Sequence, residues 1–215
     1  MDYEAVIFDM DGLLLDTESI GRRAWEQAGR DLGVSVPDDF YEKLIGRTQK
    51  DAWQIVRDWL GEDFPTAPYM ARANAHYHQW LHEEAPPLKQ GVLPLLEFLD
   101  ELEKPLALAT STSANLTERN LRRTDLARFF RVVVTGDRVA RGKPEPDIYL
   151  KAAEELGVDP SRCLALEDSV YGVRAAHAAR MHVFMVPDQI APTPAIRAIA
   201  TEVFPSLREV LQHLR

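Results

Sequence analysis

The chain has 215 residues, 46% of them hydrophobic and 27% charged, enough for one substantial domain or for a core domain that carries a smaller insertion. A formal net charge of −9 opposes general binding to nucleic acid, whose phosphates demand a positive footprint, but leaves room for a small phosphate ester held by a few local cations. The single cysteine, Cys163, excludes an intrachain disulfide framework and fits a reducing compartment.

Residues 4–8 (Glu-Ala-Val-Ile-Phe) read as a buried strand, β-branched and aromatic, that stops at Asp9. No basic region precedes this short apolar run, so neither a secretory leader nor a membrane span is expected there, and the cytoplasm is the expected location. Residues 17–32 have a helical stripe of Ile20, Ala24, Ala28 and Leu32, with Gly33 as a stop. A short helix is expected after Pro37, closing at Gly46. Thr48, with Asp51 three residues on, opens another that runs through Ile55, Val56, Trp59 and Leu60 to Gly61. Residues 66–84 form a longer helix with Tyr69, Ala73, Tyr77, Trp80 and Leu81 inward, ended by Pro86-Pro87.

Beyond residue 92 the rhythm changes. Helices at 92–103, 114–124, 146–156 and 169–179 alternate with strands at 105–110, 132–134, 162–166 and 182–186. Such alternation predicts a parallel sheet covered on both faces, a doubly wound α/β core. The helical stretch 16–86 interrupts that pattern and reads as an inserted α-helical cap, leaving 1–15 and 87–215 as the core domain. The proline-rich segment 187–194 reads as a surface crossing.

Ligands of open parallel sheets gather at the carboxyl ends of the strands, and here those ends are polar. The first strand ends in Asp9 and Asp11, the second in Thr110 and Ser111, and the fourth in Glu167-Asp168-Ser169. Lys143 lies in Gly-Lys-Pro after the third. Phosphoryl transfer fits this set. A carboxylate can attack phosphorus and split one hard displacement into two easier ones, and a lysine can offset the charge of two approaching anions. Thr110 and amides near Ser111 would hydrogen-bond the transferring group, and Asp11 would protonate the leaving oxygen and then activate water. Several hard oxygen donors around one point suit Mg²⁺.

Each element has an ordinary reading when taken alone. Asp9 to Gly12 could be a turn, Thr110 to Ser113 a helix cap, Lys143 a solvated loop cation, and Glu167-Asp168 residues before a helix start. Their occurrence together, in order at successive strand ends, favours the catalytic reading. His76, His78 and His82 invite a zinc site, but no metalloprotease-type glutamate accompanies them and no third ligand is evident, so they are expected to be partly exposed helix residues. Cys163, mid-strand, is expected to be buried and inert.

From Val6 to about Pro187 the chain resembles the phosphatase branch of the haloacid dehalogenase superfamily, in which a helical cap follows the first strand of a Rossmann-like core. The resemblance rests on Asp9-Met10-Asp11-Gly12 through Glu18, Ala109-Thr110-Ser111, Gly142-Lys143-Pro144-Glu145-Pro146-Asp147, and Leu166-Glu167-Asp168-Ser169. It implies Asp9 as nucleophile and Mg²⁺ ligand, and Asp11 as acid/base with its carbonyl on the metal. It further implies Asp168 as a metal carboxylate and Glu167 as either a ligand or an orienter of metal waters. Haloacid dehalogenases proper lack the second aspartate, so Asp11 favours phosphate chemistry. Within the superfamily the chain is similar to β-phosphoglucomutase and related sugar-phosphate phosphatases. The mutases carry a histidine where Gly21 stands here, which favours hydrolysis of a small phosphorylated metabolite over mutase activity; Trp25 nearby matches their pattern. In the cap loop Leu44 to Lys50, Arg47 and Lys50 are candidate contacts for the distal part of the substrate. Closure of the cap would exclude water from the phosphorus. A phospho-receiver regulatory domain, which also gathers acids, Thr/Ser and Lys around an aspartyl phosphate, is the alternative of a different class. It should lack both the insertion and the Asp11 function.

Overall fold

The structure, a computed structural model, describes residues 3–35, 37, 49–61 and 63–215, with backbone only at 49–54. The elements run β1 (Ala5–Phe8), α1 (Thr17–Leu32), α2 (Gln49–Leu60), α3 (Thr66–Glu83), α4 (Val92–Glu101), β2 (Leu106–Thr110) and α5 (Ala114–Arg123). There follow β3 (Val132–Thr135), α6 (Asp147–Leu156), β4 (Cys163–Glu167), α7 (Val170–Ala178), β5 (His182–Met185), α8 (Pro194–Ile199), β6 (Glu202–Val203) and α9 (Leu207–Leu214). The helix expected between Pro37 and Gly46 lies outside the described residues, apart from Pro37 itself.

The chain divides into two compact units, Met1–Asp16 with Pro87–Arg215, and Thr17–Pro86. In the first, six strands form one sheet in the order β3-β2-β1-β4-β5-β6, every pair parallel. The strand order reverses at β1, which pairs with β2 on one side and β4 on the other, so the crevice of an open α/β sheet opens beyond its carboxyl end. Strands β1, β2 and β4 at the centre are buried on both faces, which is why their runs are almost continuously apolar rather than alternating with polar residues.

Helices cover both faces. Val6, Phe8, Leu106, Leu108, Leu164, Leu166 and Phe184 form one core with Leu95, Leu96 and Leu99 of α4 and Leu207, Val210 and Leu211 of α9. Ala5, Ile7, Ala107, Ala109, Cys163, Ala165 and Val183 form the other with Ile148, Tyr149, Ala152 and Ala153 of α6 and Val173, Ala175 and Ala176 of α7. Ala179 and Met181, just after α7, close the same core. Three elements past residue 190 were not anticipated. Helix α8 follows the 187–193 crossing, β6 is only two residues long, and α9 is capped by Ser206 with Leu207, Val210, Leu211 and Leu214 on one stripe.

The second unit is helical. Helices α1 and α3 pack together where small residues let them approach: Ala28 and Ala73 flank the fully buried Tyr69, whose hydroxyl donates to the Trp25 carbonyl at 2.6 Å. Trp25 and Phe64 lie tilted against the Tyr69 ring at 5.1 and 5.2 Å. Tyr77 and Trp80 are only half-buried. His76 bonds Asp31 at 2.7 Å and stacks on Trp80, while His78 and His82 are exposed. Among the described residues no helix is long and apolar enough to cross a membrane.

Candidate active site

The site is assembled where β1, β2 and β4 end. Phe8 pairs with Leu108 and Leu166, and the next amide, of Asp9, donates to the Leu166 carbonyl at 3.0 Å. That bond keeps Asp9 in sheet register with Glu167, the last residue of β4. The chain then turns at Gly12, with φ +83°, and the amides of Leu14 and Leu15 fold back onto the Met10 carbonyl. A side chain at Gly12 is excluded twice over: L residues avoid that φ, and a Cβ there would stand 2.3 Å from Asp168 Oδ2.

Lys143, delivered by the loop before α6, joins the two strand ends. Its ammonium donates to Asp9 Oδ1 and to Glu167 Oε1, each at 2.5 Å, and it is almost completely buried. Glu167, 0% exposed, is held on all sides. Tyr149 Oη donates to Oε1 at 2.6 Å, while Oε2 accepts from the amides of Asp168 and Ser169 and from the Ser169 hydroxyl at 3.1–3.2 Å. Ser169 in turn caps α7 by accepting from Gly172 N. Gly172 permits this approach: a Cβ there would lie within 2.1 Å of both Glu167 oxygens.

Asp11 is half-buried and points to the end of β2. Its Oδ2 accepts from Thr112 Oγ1 at 2.6 Å and from Thr110 Oγ1 at 3.4 Å, and Thr110 Oγ1 also accepts from the Thr112 amide. Ser111 is exposed beside them.

Four carboxylates around one ammonium form an electrostatically lopsided set. Burial is the largest influence on Asp9 and drives its carboxyl up to about 8; Lys143 works against this, while the charges of Glu167 and Asp11 add to it. Asp168 is pushed well above the carboxylate range by burial, then by Asp9 and Glu167. Burial alone would lower Lys143, but the two carboxylates it touches more than offset this and hold it above the ordinary lysine value. A divalent cation would relieve this surplus of negative charge. Asp9, Glu167 and Asp168 each offer a carboxylate oxygen, all within 4.8 Å of one another, and hard oxygens of this kind suit Mg²⁺. The five donors already on Glu167 leave the free oxygens to Asp9 and Asp168.

Of the residues singled out from the sequence, Asp9, Asp11, Lys143, Thr110, Glu167 and Asp168 come together, with Ser111 alongside. Arg47 and the side chain of Lys50 lie outside the described residues. Sequence reasoning missed Tyr149 and Thr112. Tyr149 sits on the apolar stripe of α6 and reads as core, while Thr112 is hidden in a Thr-Ser-Thr run that also reads as a helix cap.

A doubly wound sheet with a buried acid–lysine cluster at its switch point is the arrangement of an α/β enzyme. Residues 6–186 match the haloacid dehalogenase-like hydrolase family, and the chain belongs to it. A phosphorylated carbohydrates phosphatase of Thermotoga maritima is 36% identical over 178 residues, 82% of this chain and 81% of the relative. Hexitol phosphatase B of Escherichia coli (strain K12) is 33% identical over 210 residues, 96% of this chain and 93% of the relative. A HAD family hydrolase from Deinococcus radiodurans R1, solved with bound phosphate and sodium, superposes with a TM-score of 0.85 at 25% identity, covering 99% of this chain and 95% of that one.

Proposed function

We propose that the chain is a Mg²⁺-dependent phosphatase that hydrolyses a small phosphorylated metabolite, a sugar phosphate by class, through an aspartyl phosphate on Asp9. The observation that carries this reading is the buried Lys143 bridge between Asp9 and Glu167, with Asp11 held by Thr110 and Thr112 alongside. The phosphorylated-carbohydrate and hexitol phosphatases among the relatives support the substrate class.

An Asp9 carboxylate oxygen attacks phosphorus, the ester P–O bond breaks, and the leaving oxygen takes a proton from Asp11. Asp11, now ionised, accepts a proton from water as that water attacks the phosphoaspartate. The P–O bond to Asp9 breaks, phosphate leaves, and both aspartates return to their starting states. Lys143 keeps Asp9 aimed and offsets charge on the phosphoryl oxygens, and Thr110 and the Ser111 amide donate to them. Asp9, Asp168 and the Asp11 carbonyl would hold the Mg²⁺, and Glu167 acts chiefly by holding Lys143. When bound, Mg²⁺ supplies the positive charge that keeps Asp9 ionised and neutralises the phosphoryl group. Substrate discrimination is assigned to the helical segment 16–86 as a cap, with Arg47 and Lys50 its residues to test. A cytoplasmic location and no nucleic-acid partner accord with the one cysteine and the net charge of −9.

The test is a panel of phosphorylated metabolites assayed for phosphate release with and without Mg²⁺, repeated with Asp9→Asn. Metal-dependent release that vanishes in the folded variant is expected. Retained turnover would overturn the mechanism, and isomer interconversion exceeding phosphate release would make the enzyme a phosphosugar mutase instead.

A further inference from the structure

A fifth carboxylate, Asp188, stands at the edge of this cluster and has no part in the four motifs. It follows β5, and its side chain is only 5% exposed. Oδ1 is satisfied, accepting from Lys89 Nζ at 2.6 Å and from Gln189 Nε2 at 3.0 Å. Oδ2 is buried and accepts from nothing in the protein. An acceptor-only oxygen in that state is costly, and native structures normally supply a donor. Its position shows where the donor would come from. A Cβ built on Gly12 would lie 2.3 Å from Asp168 Oδ2 and 3.5 Å from Asp188 Oδ2, so the two oxygens converge on one face of that glycine. Asp188 is also one of the charges that raise Asp168.

No N–H or O–H of the protein reaches Oδ2, and a water is the donor that such a buried oxygen can take. Mg²⁺ retains several of its waters when bound by carboxylates, and outer carboxylates that accept from such waters fix their orientation. Resting on the metal reading above, we propose that Asp188 is an outer-shell carboxylate of the metal centre, its Oδ2 accepting a hydrogen bond from a metal-bound water and its charge balanced by Lys89. Lys89 is itself fixed, because its amide donates to the Leu14 carbonyl and Leu88 bridges Leu15. The loop carrying Asp9 to Gly12, the segment at Lys89 and the loop after β5 are thereby tied together around the metal position.

The test is calorimetric titration of the metal-free full chain with MgCl₂ alone, comparing wild type, Asp188→Asn, Lys89→Met and Asp168→Asn, with urea unfolding in EDTA as a check on folding. Asp188→Asn is expected to weaken Mg²⁺ binding about tenfold or more. Lys89→Met, which leaves the carboxylate in place, is expected to bind Mg²⁺ at least as tightly as wild type. An unchanged affinity in Asp188→Asn overturns the proposal. So does an equal loss in both variants, which would mean that the ion pair merely holds the loops. If wild type binds no Mg²⁺, or Asp168→Asn binds it as well as wild type, the metal reading itself fails and takes this inference with it.

Discussion

The two faces of the sheet are packed with residues of different size. On one, Phe8, Leu106, Leu108, Leu164, Leu166 and Phe184 meet α4 and α9, and the Phe184 ring lies 5.1–5.9 Å from Phe204, His213 and Tyr3. On the other, Ala5, Ala107, Ala109, Cys163 and Ala165 meet the alanine-rich α6 and α7. Side chains alternate across a strand, so residues 5, 7 and 9 of the first strand share one face, as do 163, 165 and 167 of the fourth. Asp9 therefore continues the row of Ala5 and Ile7, and Glu167 the row of Cys163 and Ala165. Short side chains there let α6 and α7 approach closely, bringing the Tyr149 hydroxyl and the Gly172 backbone onto the Glu167 carboxylate. The large-residue face supplies bulk burial, and the small-residue face supplies the precision that a buried ion cluster needs.

Changes on either face put this contrast at risk in order of size. Phe184→Ala should have the largest effect on stability, about 3–5 kcal/mol, because it leaves a cavity in the large-residue core. Urea unfolding would measure that loss, while the folded fraction should keep wild-type turnover and Mg²⁺ affinity; a fall in either would mean that both faces serve the site. Gly172→Ala should cost less, about 1–3 kcal/mol of overpacking, yet cut turnover sharply because the new methyl displaces Glu167 and with it Lys143. Unaltered kinetics in that variant would separate Glu167 from catalysis. Cys163, within the small-residue face, should show the smallest effect. Burial pushes its thiol up from 9.0 to about 11, so a disulfide reagent at pH 8 should leave it unlabelled in the native chain and label it in urea. The sign for stability follows. Whatever the buried neutral thiol contributes is present below pH 9.0 and is lost as pH rises toward about 11, because the unfolded thiol ionises first.

Most of the core was legible because its periods are regular. Helix α1 occupies the 17–32 range expected from the Ile20, Ala24, Ala28 stripe, and the five longer strands fall within a residue of their apolar runs. The carboxyl-terminal elements escaped because β6 has only two residues and draws its order from pairing with β5. Inwardness along α3 was overread: Tyr69, Ala73 and Leu81 are buried, but Tyr77 and Trp80 keep part of their surface in solvent.

The sequence by itself determined the alternation of strands and helices, the polar residues at the strand ends and the acids and lysine that meet there, since each depends on local period and on where a strand stops. Tertiary structure alone decided how those groups are held. Tyr149, eighteen positions before Glu167, became its hydroxyl partner. Thr112 took hold of Asp11, and Lys89 found Asp188 across a separation of 99 residues. Partners that far apart are chosen by which backbones can approach and by which buried charges still need a hydrogen bond, and neither is written in the spacing of the chain.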